Sequence, residues 1–360
     1  MDLQAFQNPP KSYRPMTRWW WPGLDVEKEE LLRELEDLDH SGLGGAELQP
    51  FLIGTPLDLE KKDPQRAKRT HRFMQPYHYE MIAAVLDGAE RLGLTIDITQ
   101  NSAWPTGGTH ITAEDSHKTL LFGETALKGP RDFSGRVPPL KPLKMYFVLG
   151  NLIPLIFSGF RLLEYFPHDK KRIRVVAGRL LGKKGKFTSW KIKESALLDF
   201  DSMIDLTDKV DASGHLNWQV PEGSWQLFSF YEGTAGAAPL MDARSQPGAF
   251  AHVLDHFNRA ALNRHLDAFL GRGKEVFGHH FGRTLRAIFT DSFELISPMH
   301  WSKTFLEEFK KRRGYELAPY LPAAYVPLKD VGYFTYGNEL NLPNFDFPDG
   351  IGQRIRYDVQ

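Results

Sequence analysis

The chain has 360 residues, and its 45 Lys and Arg residues balance its 45 Asp and Glu residues. This length is sufficient for about two domains. Because the charges cancel, the composition gives no support for a nucleic-acid or membrane partner. The lack of cysteine excludes disulfides, thiolate metal sites and cysteine nucleophiles but leaves the compartment open. Eight Trp and an aromatic share of 12% suit stacking against a neutral, polyhydroxylated ligand.

The sequence shows no targeting or membrane-spanning segment. No basic region followed by an apolar core opens the chain, so a signal peptide is not recognised. The longest apolar stretch, residues 146–157, is interrupted by Gly150, Asn151 and Pro154 and is shorter than the about 20 residues that span a bilayer. The chain as written is therefore expected to be soluble. Its compartment is left unknown: secreted or periplasmic if the full-length protein carries an export signal, and otherwise cytoplasmic.

Residues 1–120 alternate between strand and helix patterns. Helices are predicted where apolar residues recur at helical spacing, as at Leu31, Leu35 and Leu38. The predicted strands are short runs that end in polar or aromatic residues, at 17–21, 45–51 and 94–100. This order of strand, helix, strand, helix, strand is typical of a parallel α/β sheet, and we interpret it as the first half of a (β/α)₈ barrel.

Residues 121–240 change to short β-rich runs separated by turn residues, which predicts an inserted antiparallel β domain. Within it, ten Lys or Arg and no acid lie between Lys170 and Lys193. A basic run of this kind is compatible with nucleic acid. Apolar residues such as Ile173 and Val175 interrupt it, so we favour the solvated face of a sheet over a nucleic-acid site.

Residues 241–360 return to the α/β pattern, with a fourth strand at 285–290 and a helix at 301–313. Only four strand-helix units precede the end of the chain, whereas a closed barrel takes about 250 residues. We therefore expect the N-terminal part of a longer protein, whose missing C-terminal part completes the barrel. The open edges of a partial barrel predict that the isolated chain associates or aggregates.

Polar and aromatic side chains follow the predicted strands at one edge of the sheet. Asp291 and Glu294 follow the fourth strand, and Trp104 follows the third. Active-site loops of barrels lie at the C-terminal ends of the strands, so these residues are expected to face one cavity. Trp104 is the best candidate for stacking against a sugar ring. The alternative is that the two carboxylates only cap the next helix.

Polar residues within the strands have two interpretations. Glu47 and Gln49 project to the same side of the second strand, either towards a sugar in the lumen or with Glu47 paired to Arg18. Asp97 lies between two isoleucines, where a buried carboxylate needs a partner, and pairing with Arg18 is favoured over sugar binding. Alternation turns Trp20 away from its two Trp neighbours, so part of this triplet packs in the core and Trp20 is a candidate sugar contact.

Thirteen histidines give no recognisable metal motif. The adjacent pair His279-His280 and the spaced His252, His256 and His265 lack the HExxH pattern of a zinc site. We interpret His256 and His265 as helix-surface or core residues. Calcium prefers oxygen ligands, and no loop resembling an EF-hand locates them, so the sequence leaves the metal ligands unknown.

Five motifs taken together resemble glycoside hydrolase family 106, the α-L-rhamnosidases. Their order and spacing match as well as their residues: TRWWWPG at 17–23, GGAELQPF at 44–51, WPTGG at 104–108, TDSFE at 290–294 and FLEEFKKRRGY at 305–315. The β-rich segment ending at 221 is also similar, so the resemblance covers nearly the whole chain.

The resemblance implies a catalytic (β/α)₈ barrel with β-sandwich appendages, hydrolysis of terminal α-L-rhamnose with inversion, and a calcium ion at the sugar. An inverting glycosidase needs two carboxyl groups about 6.5 to 9.5 Å apart, one as acid and one as base. We assign Glu294 as one of them and Asp291 as a substrate or orienting ligand, and expect the second catalytic Glu beyond Gln360. The competing hypothesis is a non-catalytic carbohydrate-binding or pseudoenzyme fragment.

Overall fold

The computed structural model describes residues 6–52, 59–100, 105–140, 143–147, 161–165, 169–188, 191–235, 251–291, 293, 295, 297, 299–324 and 343–360. Within them, the strands in chain order are β1 Met16–Pro22, β2 Gly45–Phe51, β3 Thr95–Thr99, β4 Gly107–Gly108, β5 Lys118–Arg136, β6 Leu143–Phe147, β7 Arg161–Tyr165, β8 Lys171–Thr188, β9 Lys191–Leu198, β10 Ile204–Asp205, β11 His215–Thr234, β12 His252–Val253, β13 Leu285–Phe289, β14 His300–Trp301 and β15 Phe345–Asp346. The α-helices are α1 Lys28–His40, α2 Leu59–Lys62, α3 Pro64–Thr70, α4 Pro76–Leu92, α5 Arg259–Phe277, α6 Phe305–Arg313, α7 Leu321–Ala324 and α8 Ile351–Val359.

The chain divides into two compact units. The first, here the parallel unit, comprises Met1–Ser116 and Ala237–Leu295. The second, the antiparallel unit, comprises His117–Gly236 and Ile296–Gln360. In the part of the chain that the structure describes, no helix is long and apolar enough to cross a membrane.

The parallel unit is built on a sheet whose four described strands run in the order β1, β2, β3, β13 and are all parallel. This arrangement confirms the parallel α/β pattern predicted from the sequence. Helices α1, α4 and α5 pack against the sheet through buried apolar side chains, because their apolar residues recur at helical spacing. Among the largest fully buried side chains of this core are Trp21 of β1 and, on the helices, Leu35, Tyr79, Ile82, Leu86, Phe269 and Phe277.

The antiparallel unit is built on two long strands, β5 and β11, which pair antiparallel along nearly their whole length. Strand β8 pairs with the other side of β11, and β9 pairs with β8. The basic run therefore lies on two paired strands, where Lys183 contacts Glu194 at 2.9 Å while Val175 and Val176 are buried. Val175 and Val176 are adjacent and point to opposite faces of β8, so both faces of the sheet are covered there. The solvated part of the basic run is the end around Lys183, whose side chain is 68% exposed.

The segment Ile296–Gln360 belongs to the antiparallel unit, whereas the sequence pattern assigned it to a continuation of the barrel domain 241–360. The physical reason is burial of apolar surface. Trp301, Phe309 and Leu317 pack in one cluster with Phe228 and Phe230 of β11. Strand β14 also pairs with β5. The spacing of apolar residues shows which face of a helix is apolar, but not which sheet that face packs against.

A buried histidine in the parallel unit leads to a prediction of pH dependence. His78 is 1% exposed, its Nδ1 accepts a hydrogen bond from the Met74 N–H at 3.2 Å, and burial lowers its pKa to about 3. The unfolded chain takes up this proton at about pH 6.5, so stability is complete above that pH and falls as the pH drops from about 6.5 towards 3. For one titrating group, the free energy of unfolding changes with pH by at most about 1.4 kcal/mol per pH unit.

We expect His78→Asn to flatten this dependence, because Asn keeps an acceptor oxygen for the Met74 N–H but does not titrate. Urea unfolding between pH 4.5 and 7.5 measures the slope of the free energy of unfolding against pH. The test is this slope, because a loss of stability at pH 7.5 alone says nothing about the titration of residue 78. The matched control is His40→Asn at the exposed end of α1. An equal slope in wild type and His78→Asn would contradict the prediction.

Candidate functional site

Three charged side chains from three different strands meet on the polar face of the parallel unit. Arg18 of β1 donates from Nε and Nη2 to Glu47 Oε2 of β2, at 3.0 and 2.9 Å. Its Nη1 donates to Oδ2 of Asp291, just after β13, at 3.0 Å. The three side chains are 27%, 35% and 31% exposed. The cluster is therefore open to solvent, and one guanidinium fixes two carboxylates.

Alternation along β1 explains why this face is polar. Trp19 and Trp21 are 8% and 1% exposed and pack in the core, whereas Trp20 is 44% exposed. The opposite orientation of Trp20 predicted from the sequence is thus confirmed. The Arg18 guanidinium carbon lies 5.3 Å from the Trp20 ring centroid and 5.1 Å from that of Phe289. An accessible indole beside fixed carboxylates is a suitable surface for a sugar ring.

Asp97 lies next to Glu47 in register on β3 but has a different partner. It is 3% exposed, and both of its carboxylate oxygens accept from Arg286 of β13, one of them from Nε at 3.1 Å. The predicted pairing of Asp97 with Arg18 is wrong, because Glu47 lies between them and takes the Arg18 guanidinium. Hydrogen bonding to this carboxylate raises the pKa of Arg286. The pair fits a structural link between the two strands.

Gln49 is the other strand residue predicted to contact a sugar. It shares its face with Trp20 by register but is fully buried. Its Nε2 donates to the Pro50 carbonyl at 3.0 Å, while its buried Oε1 accepts no hydrogen bond from the residues that the structure describes. Its burial keeps it from the solvent-exposed surface on which Arg18, Glu47 and Asp291 lie.

Gln100 was not singled out in the sequence, yet it connects two segments that flank the cluster. Its Nε2 donates to Thr106 Oγ1 at 3.3 Å and to Thr290 Oγ1. It therefore holds the segment after β3 against the segment after β13. Its position directly after a strand, among the polar residues that follow each strand, is the sequence feature that could have identified Gln100 as a site residue.

Trp104 and Glu294 lie outside the described residues. Their neighbours are described: Pro105 is buried, and Phe293 is 65% exposed with its ring 5.0 Å from that of His256. The predicted meeting of these two residues with Glu47 and Asp291 stays a prediction. What the structure brings together is Glu47, Asp291 and Trp20, through Arg18.

A group of histidines lies in the same unit. His110 Nε2 and His265 Nδ1 are 2.8 Å apart, and His265 is 1% exposed. Burial lowers the pKa of His265 to about 3 and that of His256 to about 4. Both are therefore neutral near pH 7. His265 is a core residue, as one of the two sequence interpretations has it.

Comparison with known proteins gives one family match and two similar proteins, which carry two different glycosidase names. The family model of glycoside hydrolase 106, described as alpha-L-rhamnosidase, matches residues 7–149 and 180–327. A Formosa agariphila protein provisionally named a beta-glucuronidase is 21% identical over 347 residues, which are 93% of this chain and 27% of that protein. A rhamnosidase structure from Novosphingobium sp. PP1Y has a TM-score of 0.58 at 19% identity, covering 89% of this chain and 42% of that one.

The chain thus spans 27% and 42% of the lengths of these two relatives. At 19% identity the structural likeness concerns the fold alone. The family match covers most of the chain and includes every candidate site residue.

Proposed function

Because this chain belongs to glycoside hydrolase family 106, the α-L-rhamnosidases, we propose that it is part of an enzyme that hydrolyses terminal α-L-rhamnose from glycans or glycosides. The observation that carries the proposal is the cluster of Arg18, Glu47 and Asp291 beside the exposed Trp20. Two oriented carboxylates and an indole face are the groups that bind a neutral sugar. The cluster lies on strands whose C-terminal edge is the active-site edge of α/β folds.

The fold that we propose for the parallel unit is part of a (β/α)₈ barrel. Two faces of the sheet support this proposal: the helices pack on its apolar face, and the opposite face carries the charged cluster. Neighbouring strands are about 4.8 Å apart, so β1 and β13 are three spacings apart in the sheet. The contact between Arg18 and Asp291 across this span is favoured by a sheet that curves around its polar face.

In the proposed mechanism Glu294 is the general acid or base, and inversion requires a second carboxyl group about 6.5 to 9.5 Å away. We place that group in the remainder of the full-length protein. Asp291 precedes Glu294 by three residues and is held by Arg18, so Arg18 is a positioning residue for the segment that carries Glu294. Glu47, held by the same guanidinium, is proposed to accept hydrogen bonds from sugar hydroxyls.

Calcium, implied by the family resemblance, does not fit between Glu47 and Asp291. It takes about six to eight oxygen ligands, and here the two carboxylates already share the positive Arg18. A cation at this position would face the guanidinium at close range. No step of the proposed mechanism therefore passes through calcium.

The direct test is hydrolysis by the full-length protein of an aryl α-L-rhamnoside, with an aryl β-glucuronide as comparison because one relative carries the glucuronidase name. We expect turnover of the rhamnoside only, with β-L-rhamnose as the first product seen by proton NMR. Appearance of the α-anomer first would contradict inversion. Rhamnose binding without any turnover would instead support a carbohydrate-binding protein.

Arg18→Met is expected to lower kcat/KM for the rhamnoside by about 10- to 100-fold, because both carboxylates lose the group that orients them. Arg18→Lys should restore only part of this loss, since an ammonium group cannot reproduce the fork of donors. Steady-state kinetics of the full-length protein measures both. Arg33→Met, which removes two exposed ion pairs on α1, is the control. Equal constants for Arg18→Met and wild type would remove Arg18 from the site.

A further inference from the structure

Three potential metal ligands meet at the end of the parallel unit opposite to the cluster around Arg18. Asp87 lies in α4, which leads into the start of β3, and His279 and His280 lie in a 3₁₀ turn shortly before the start of β13. One ligand atom from each of the three lies within 4.8 Å of the other two. The proposed catalytic groups are at the C-terminal ends of the same strands, so this group is separate from them.

The distances suit one ion with little rearrangement. His280 Nε2 is 3.0 Å and His279 Nε2 is 3.9 Å from the same oxygen, Oδ1 of Asp87. Ligand atoms around a tetrahedral zinc are about 3.3 Å apart, given bonds of about 2.0 to 2.1 Å. His279 is 61% exposed and Asp87 56% exposed, so rotation of these side chains closes the difference and an ion can enter from solvent.

The fully buried His280 provides a second observation. Its side chain is 0% exposed, and its Nδ1 forms no hydrogen bond with the residues that the structure describes. The nearest carboxylate oxygen, Oε2 of Glu90, is 3.9 Å from Nδ1, and Glu90 is held by Arg283 at 2.6 Å. Metal-binding histidines commonly donate their second ring N–H to a carboxylate. Glu90 is positioned for this role one turn after Asp87.

We propose that Asp87, His279 and His280 bind Zn²⁺, with Glu90 orienting His280. Two imidazoles and one carboxylate are a ligand set that zinc uses, whereas calcium and magnesium prefer oxygen ligands throughout. The ion would link the C-terminal half of α4 to the turn before β13. Three protein ligands leave the fourth position of a tetrahedral zinc to water, and the site does not depend on the proposed glycosidase activity.

The test is isothermal titration of the chelator-treated full-length protein with ZnCl₂ at pH 7.5. We expect one site, weakened at least about 10-fold by His279→Ala, Asp87→Asn and Glu90→Gln. His40→Ala, at an exposed histidine on α1, should leave the affinity unchanged. Because His279 and Asp87 are largely exposed, these variants are expected to fold, and circular dichroism checks that they do.

Thermal melting supplies an independent readout, since a ligand that binds only the folded state raises Tm. At one zinc concentration, the Tm of wild type and of His40→Ala should rise more than that of His279→Ala or Asp87→Asn. Unchanged zinc affinity in both of these variants, or no zinc-dependent rise of Tm in wild type, would overturn the site. Neither measurement uses rhamnoside hydrolysis, so failure of this proposal is distinguishable from failure of the proposed function.

Discussion

For the rhamnosidase activity proposed above, Glu294→Gln is expected to lower kcat by at least about 10²-fold and to change KM much less. Gln has nearly the same shape as Glu and keeps its hydrogen-bonding reach, but it cannot give or take the proton that the glycosidic step requires. The segment that carries residue 294 is anchored next to it by Asp291, which accepts from Arg18. Steady-state kinetics with an aryl α-L-rhamnoside measures both constants.

The pH profile makes this experiment more specific. Loss of a general acid or base should remove one limb of a bell-shaped dependence of kcat/KM on pH, which a purely structural defect would leave in place. The matched control is Glu307→Gln at an exposed position in the first turn of α6. If Glu294→Gln turns over like wild type, the catalytic assignment moves to another residue.

Gly45→Ala is expected to destabilise the parallel unit by about 3 kcal/mol or more. A Cβ at this position would lie 1.9 Å from the carbonyl oxygen of Thr95, with the Thr95 carbonyl carbon at 2.8 Å. Gly45 and Thr95 are register partners on β2 and β3, so the two strands cannot keep their spacing around a methyl group. Urea denaturation of the full-length protein, monitored by Trp fluorescence, measures the change.

The control for this substitution is Gly271→Ala, which introduces the same methyl group without a clash. No atom lies within 4 Å of the Cβ position of Gly271, on the exposed side of α5. Because Ala favours the helix over Gly, we expect stability to rise by up to about 1 kcal/mol. Similar losses for the two variants would show that close packing of β2 on β3 is not the cause.

Local sequence patterns predicted the elements of the parallel unit well. Alternation along the Trp triplet separated the exposed Trp20 from its two buried neighbours. Leu31 and Leu35, repeated at helical spacing, are buried on α1 as expected. These predictions succeeded because strand alternation and helix periodicity are set by the residues themselves and by the geometry of the backbone.

The ion-pair partners in the site were harder to predict from the sequence. Arg18 had two candidate carboxylates, and only the register of β1, β2 and β3 decides that Glu47 takes its guanidinium. Asp97 then pairs with Arg286 from a strand that follows nearly 190 residues later. An arginine of β1 and an arginine of β13 could each pair with the same carboxylate, so the sequence pattern alone does not show which of the two does.

The sequence by itself determined the family, the alternation of strands and helices, and the polar residues that end each strand. Only the tertiary structure decided that Ile296–Gln360 packs on the antiparallel unit, that Gly45 touches Thr95, and that Asp87 meets His279 and His280. The physical reason is that propensity and periodicity act over a few residues. Contacts between distant segments depend on strand register and on which apolar faces bury each other.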